Sequence, residues 1–102
     1  MKLKYHEKLI SATETFNTNI IKFSFQKLYY AVIIRNCNRY SSIANKQRVD
    51  VIMLDDNLTI SSIRRGMHEN TFFATEGTNT TILLPLNYFP DLEIGQKIII
   101  EK

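Results

Sequence analysis

Residues 48–63 read RVDVIMLDDNLTISSI, and the assignment of this stretch decides the fold. VDVIML, 49–54, is β-branched and apolar with hardly any alternation, the pattern of a strand covered on both faces. Asp55, Asp56 and Asn57 follow; their side chains bond to local backbone and tolerate left-handed turns. LTISSI, 58–63, alternates, with Leu58, Ile60 and Ser62 on one face and Thr59, Ser61 and Ile63 on the other. Two such runs joined by Asp and Asn predict a hairpin, with Arg64-Arg65-Gly66 as its end. The anomaly is Asp50. A carboxylate at the head of a buried run is costly unless something pairs with it.

Working outward toward the N-terminus, residues 3–16 contain LISATETF, whose β-branched residues predict one or two short strands. TNIIKFSFQKL, 18–28, carries two periods at once. Ile21, Phe25, Leu28 and Val32 lie at helical spacing with Thr18 or Asn19 as a cap, while Ile21, Phe23 and Phe25 alternate like a strand. The reading adopted is a short helix at 19–28. YYAVII, 29–34, is a strand, and because neighbours in a strand point to opposite faces, one of Tyr29 and Tyr30 is expected in the core. Residues 35–48 read as a loop with an edge strand near Tyr40–Ala44.

Toward the C-terminus, TFFAT (71–75) and TTILLPL (80–86) are strands with Glu76-Gly77 as a turn between them. Pro85 ends or edges the second, since it cannot donate to a ladder. LNYFPDLEIGQ (86–96) is a loop, and KIIIE (97–101) is a short closing strand. No alternation of strands with helices is sustained. The fold class expected is therefore mostly β: a small single-domain β-barrel or sandwich of six or more short strands with one short helix.

The chain's 102 residues suit one domain, 1–102. A single cysteine, Cys37, rules out an intramolecular disulfide and fits a reducing compartment. The first ten residues lack a signal-peptide hydrophobic stretch, and YYAVII is far shorter than the ~20 residues of a membrane span. The expectation is a soluble, cytoplasmic protein with no membrane partner. Net charge is +3, and the thirteen Lys and Arg residues are scattered rather than gathered in one stripe. Nucleic-acid binding therefore ranks below an ordinary solvated surface.

From Cys37 onward the chain resembles the DUF192 (UPF0127) family of small bacterial proteins of unknown function. That family carries a segment like C-N-S-I-H-T-F-F-M-K-F-P-I-D-V-I-F-L-D, then a strand ending in L-E-L-P, then I-G-D before a closing strand. Here CNRYSSIANKQRVDVIMLDDN occupies 37–57 without a gap, TILLP 81–85 and EIGQKIII 93–100. The resemblance covers about the C-terminal two thirds. The departures fall on polar positions: Ser41 and Ser42 replace His-Thr, Asn45 replaces Met, and Gln47-Arg48 replaces Phe-Pro. Leu83 stands for the Glu of L-E-L-P, and Gln96 for the Asp after the late glycine. The family's R-x-x-G-L-M feature has no counterpart upstream. The resemblance thus implies a divergent member and a fold, and brings no reaction with it.

Four residues are candidates for a binding site: Asp50, Arg64, Arg65 and His68. Asp50 can serve as a base or ligand contact, or as scaffolding held by an arginine or by backbone N–H groups. Arg64 and Arg65 offer guanidinium forks for phosphate or carboxylate, or one of them pairs with Asp50. Cys37, His68 and Asp50 make a catalytic trio only on paper, because no nucleophile motif surrounds them. His6 and His68 with one cysteine fall short of a zinc set, and Asp55-Asp56-Asn57 lacks calcium-loop spacing. No catalytic residue, metal site or cofactor is therefore expected. The leading reading is a non-catalytic binding or accessory module, with a protein or a small anionic ligand as the partner to consider. The alternatives are a single-stranded nucleic-acid- or RNA-binding β-barrel and a degenerate or uncharacterised enzyme.

Overall fold

The computed structural model describes residues 1–16, 28–37, 39–41, 48–67, 72–74 and 76–102. They form nine strands: β1 Lys2–Tyr5, β2 Lys8–Phe16, β3 Ala31–Arg35, β4 Arg39–Ser41, β5 Val49–Leu54, β6 Ile60–Met67, β7 Phe72–Ala74, β8 Thr80–Pro85 and β9 Ile99–Glu101. Seven make one sheet in the order β6-β5-β8-β3-β2-β1-β9, and β4 pairs with β7 in a separate ribbon. All pairings are antiparallel except β2 with β3. That parallel pair was not anticipated from the sequence.

The fold is all-β, curled into a half-barrel, and no helix occurs among the described residues. The short helix expected at 19–28 falls almost entirely outside them. Its last residue, Leu28, is described and is not helical. Its helical spacing with Val32 came from two buried residues, one before β3 and one within it, that join the same apolar cluster.

The central strands β3, β5 and β8 are buried on both faces. Every residue of β5 is buried, as its lack of alternation predicts. Ile52 and Leu54 point into the larger cluster, with Leu3, Tyr5, Ile33, Ile60, Ile82, Leu84, Phe89 and Ile98. Val49, Val51 and Met53 point the other way, with Leu28, Val32, Ile34, Cys37, Met67 and Leu83. By this parity Asp50 shares the side of Ile52.

β5 and β6 form the expected hairpin, with two departures. The turn uses the local side-chain bonds anticipated, since Asp55 Oδ1 accepts the N–H groups of Asn57 at 2.8 Å and Thr59 at 3.0 Å, but the left-handed residue is Leu58, at φ 60°, and not one of the Asp or Asn residues. A register shift follows, however. Leu54 opposes Ile60 and Met53 opposes Ser62, so Ser61 is an extra residue, a β-bulge. The bulge flips the parity of β6. Ile63 therefore packs with Leu58 and Ile60 against the larger cluster, and the expected grouping of Ser62 with them is wrong.

The second departure lies at Arg64-Arg65-Gly66, which does not end the hairpin. Val51 opposes Arg64 and Val49 opposes Met67. Arg65 and Gly66 together thus face Asp50, and Gly66 has φ +58°, a left-handed conformation that glycine adopts without a Cβ penalty.

The curled sheet is joined along one rim. Thr59 bridges Lys97, Gly95 N–H donates to Ile60 O at 2.8 Å, Ile60 N–H to Gln96 O at 2.8 Å, and Ile98 N–H to Leu58 O at 3.0 Å. The chain then continues into β9, which pairs with β1. Residues 95–101 thereby tie the head of β6, at one end of the strand order, to β1 near the other.

Candidate functional site

Asp50 is wholly buried, and its carboxylate is the centre of a three-way junction. Oδ1 accepts the N–H of Gly66 at 2.9 Å. Oδ2 accepts the N–H of Asn87 at 2.9 Å and a guanidinium N–H of Arg65 at 3.0 Å. The donors come from the bulge in β6 and from the loop after β8. The bulge explains the first of them, because the extra residue leaves a ladder N–H that the carboxylate takes.

Arg65 extends the junction. Its Nη1 also donates to Phe89 O at 2.9 Å and its Nη2 to Pro90 O at 3.1 Å. The half-exposed guanidinium thus clamps the loop 86–91 down onto β5 and β6. That loop begins with a turn in which Tyr88 N–H donates to Pro85 O at 3.1 Å and Asn87 adopts φ 59°, a conformation asparagine tolerates. Among the described residues, no buried side-chain nitrogen or oxygen lacks a hydrogen-bond partner.

Of the four candidates, Asp50 and Arg65 come together. Arg64 opposes Val51 in register and is exposed. His68 lies outside the described residues. Cys37 belongs to the cluster on the far side of the sheet from Asp50, so the two cannot serve one reaction centre. Leu83, the position of the glutamate in the family pattern, opposes Val51 and shares Cys37's cluster. It too is turned away from Asp50. Among the described residues no group of three or more His, Cys, Asp or Glu side chains is arranged to hold a metal ion.

The clamped loop presents a second set of residues. Phe89 enters the core at 1% exposure and meets Tyr5 edge-on at 5.7 Å and Tyr88 at 4.9 Å between ring centroids. Tyr88 is held at three points. Its hydroxyl donates to Leu9 O at 2.5 Å, its carbonyl accepts from Lys8 Nζ at 2.7 Å, and the same ammonium sits 4.2 Å from its ring centroid, within cation–π range. Beside it lies an open depression of about 300 Å³, lined by Lys2, Leu9, Ile10, Ser11, Tyr29 and Tyr88.

Tyr29 and Tyr30 are both exposed, at 71% and 39%. The expectation that one of them enters the core fails because β3 starts only at Ala31, so strand alternation does not apply to the pair. The role of Tyr88 was also missed. Its contact with Leu9 spans 79 positions in sequence, and nothing local to NYF announces it.

Nearby, Tyr5 donates its hydroxyl to Asp91 O at 2.9 Å. Burial raises its pKa above the ordinary 10.0, and the Asp91 carboxylate adds to the effect. His6 stacks on Tyr5 with centroids 4.1 Å apart, and its Nδ1 lies 3.6 Å from Asp91.

No family model matches the chain, and no curated protein matches it. A solved structure of a protein of unknown function from Novosphingobium aromaticivorans DSM 12444 is similar in fold. The TM-score is 0.72 at 8% identity, over 90% of this chain and 76% of that one. The likeness establishes a shared β architecture. No helix among the described residues is long and apolar enough to cross a membrane.

Proposed function

We propose that the chain is a single-domain, divergent member of the DUF192 (UPF0127) family and acts as a non-catalytic binding or accessory module of the cytoplasm. The family assignment is supported by where its landmarks fall. The strand containing Asp50 is β5, TILLP lies within β8 alongside it, and EIGQKIII supplies the rim segment and most of β9. The compartment is supported by Cys37, a buried cysteine that forms no disulfide.

The observation that carries the non-catalytic reading is the occupation of Asp50. A general base needs a lone pair within reach of substrate. This carboxylate belongs to a side chain only 1% exposed and already accepts three hydrogen bonds. It is a structural pin for the loop that presents Tyr88. A broad hydrolase screen of wild type against Asp50→Asn tests this. No turnover by either is the expected outcome. Turnover by wild type that is lost in a folded Asp50→Asn variant would overturn the reading.

The second reading, a single-stranded nucleic-acid module, is favoured by one observation: the adjacent exposed rings of Tyr29 and Tyr30, which are of the kind on which bases stack. A labelled oligonucleotide titrated at low and moderate salt tests it. Affinity that falls with salt supports it, and no binding at low salt eliminates it.

A further inference from the structure

We infer that the depression between Tyr29 and Tyr88 is a binding site for a planar aromatic anion of about mononucleotide size. The inference rests on the reading of the chain as a non-catalytic binding module and gives that module its ligand class. Three features carry it. The first is the wall. Tyr88 is fixed by Leu9 O and Lys8 and backed by Phe89, and its loop is pinned through Asn87 to Asp50. A ring held this way is pre-organised, so a ligand stacking on it immobilises little that was free. The second is another ring in the lining. Tyr29 presents its ring to solvent at 71% exposure, and its phenolic face is suited to stacking.

The third feature is charge and shape. Lys2 lines the depression, is exposed and forms no ion pair with a described residue. Glu101 opposes it in register on β9, and Lys8 adds positive charge beside Tyr88. A volume of about 300 Å³ is at the small end for ligand sites and suits one aromatic ring system with one acidic group. Leu9 and Ile10 give apolar contact and Ser11 a hydroxyl in the lining.

The test is a titration of the ¹⁵N-labelled chain followed at the amides of Leu9, Ile10, Ser11 and Tyr88. The probes are adenosine 5′-monophosphate and 2-naphthoate, with neutral adenosine, inorganic phosphate and a ten-residue oligothymidylate alongside. Saturable shifts at those amides with both anionic probes are expected. Lys2→Gln should weaken the anionic probes roughly three- to tenfold and leave adenosine unchanged, and Tyr29→Ala should weaken all three aromatic probes about tenfold. Both side chains are exposed, so both variants keep the fold.

The inference is overturned if neither anionic probe shifts these amides, if phosphate alone matches them, or if Lys2→Gln leaves their affinity unchanged. It is also overturned if the oligonucleotide binds more tightly than the monophosphate with shifts spreading to Tyr30, which transfers the surface to a nucleic-acid strand. Consumption of a bound probe overturns the non-catalytic reading and keeps the site. Absence of both binding and consumption overturns the site and keeps the reading.

Discussion

At the scale of single residues the molecule turns on Asp50. Replacement by asparagine keeps the shape, removes the charge that Arg65 faces, and turns one acceptor into a donor against N–H groups. We expect a loss of roughly 3 kcal/mol in urea denaturation. Arg65→Ala should cost less, roughly 2 kcal/mol, because the guanidinium is partly solvated while two backbone donors stay on the carboxylate. The double variant should fall short of the sum by about 1 kcal/mol, the mark of a shared contact. Gly66→Ala is a separate case. The new Cβ would meet only Leu86 Cδ1, at 3.6 Å, an ordinary contact, so its expected cost of about 1 kcal/mol is conformational. Tyr5 governs the alkaline limb. Its folded pKa lies above the unfolded 10.0, first through burial and then through Asp91, so its contribution is complete below pH 10. Above that the unfolded chain ionises first, and stability is lost as pH rises toward the folded value. Tyr5→Phe should flatten that fall in denaturation midpoints measured from pH 9 upward.

At the scale of elements, legibility followed burial geometry. β5 and β8 could be read because strands buried on both faces leave continuous apolar runs, and the turn at Asp55 could be read because its hydrogen bonds are local. β6 was only half legible. Its two bulges break the period of two, so Ile63 came out on the wrong face and Arg65-Gly66 looked like an ending. That an arginine would reach Asp50 was foreseeable from the cost of burying a charge. That the third donor would be the backbone of Asn87, 37 positions away, was not. The segment 86–96 read as a plain loop, because proline, asparagine and glycine punctuate it, yet it delivers Phe89 and Leu92 to the core. The contrast within it is measurable. Phe89→Ala should cost about 3–5 kcal/mol, while Leu86→Ala, at a side chain 44% exposed, should stay within about 0.5 kcal/mol. Equal losses would mean that the loop does not hold the core as described.

At the scale of the whole molecule, the sheet is held by partners far apart in sequence. Ile98 is buried at the seam between Leu58 and β9, and Ile98→Ala should cost about 2–4 kcal/mol and raise hydrogen exchange at Thr59 and Ile60 together with Lys2 to Lys4. Exchange rising on one side alone would mean that the two ends of the strand order are not tied. The seam also sets an order of events during folding. Lys2–Lys4 pair on one side with β2, close by in sequence, and on the other with Ile99–Glu101, far away in sequence. The β1–β2 hairpin can form early because its contacts are local, but its outer edge stays open until β9 docks. Any intermediate in which β9 has not docked therefore exposes an unpaired strand edge, and docking of Ile99–Glu101 converts that edge into the closed rim.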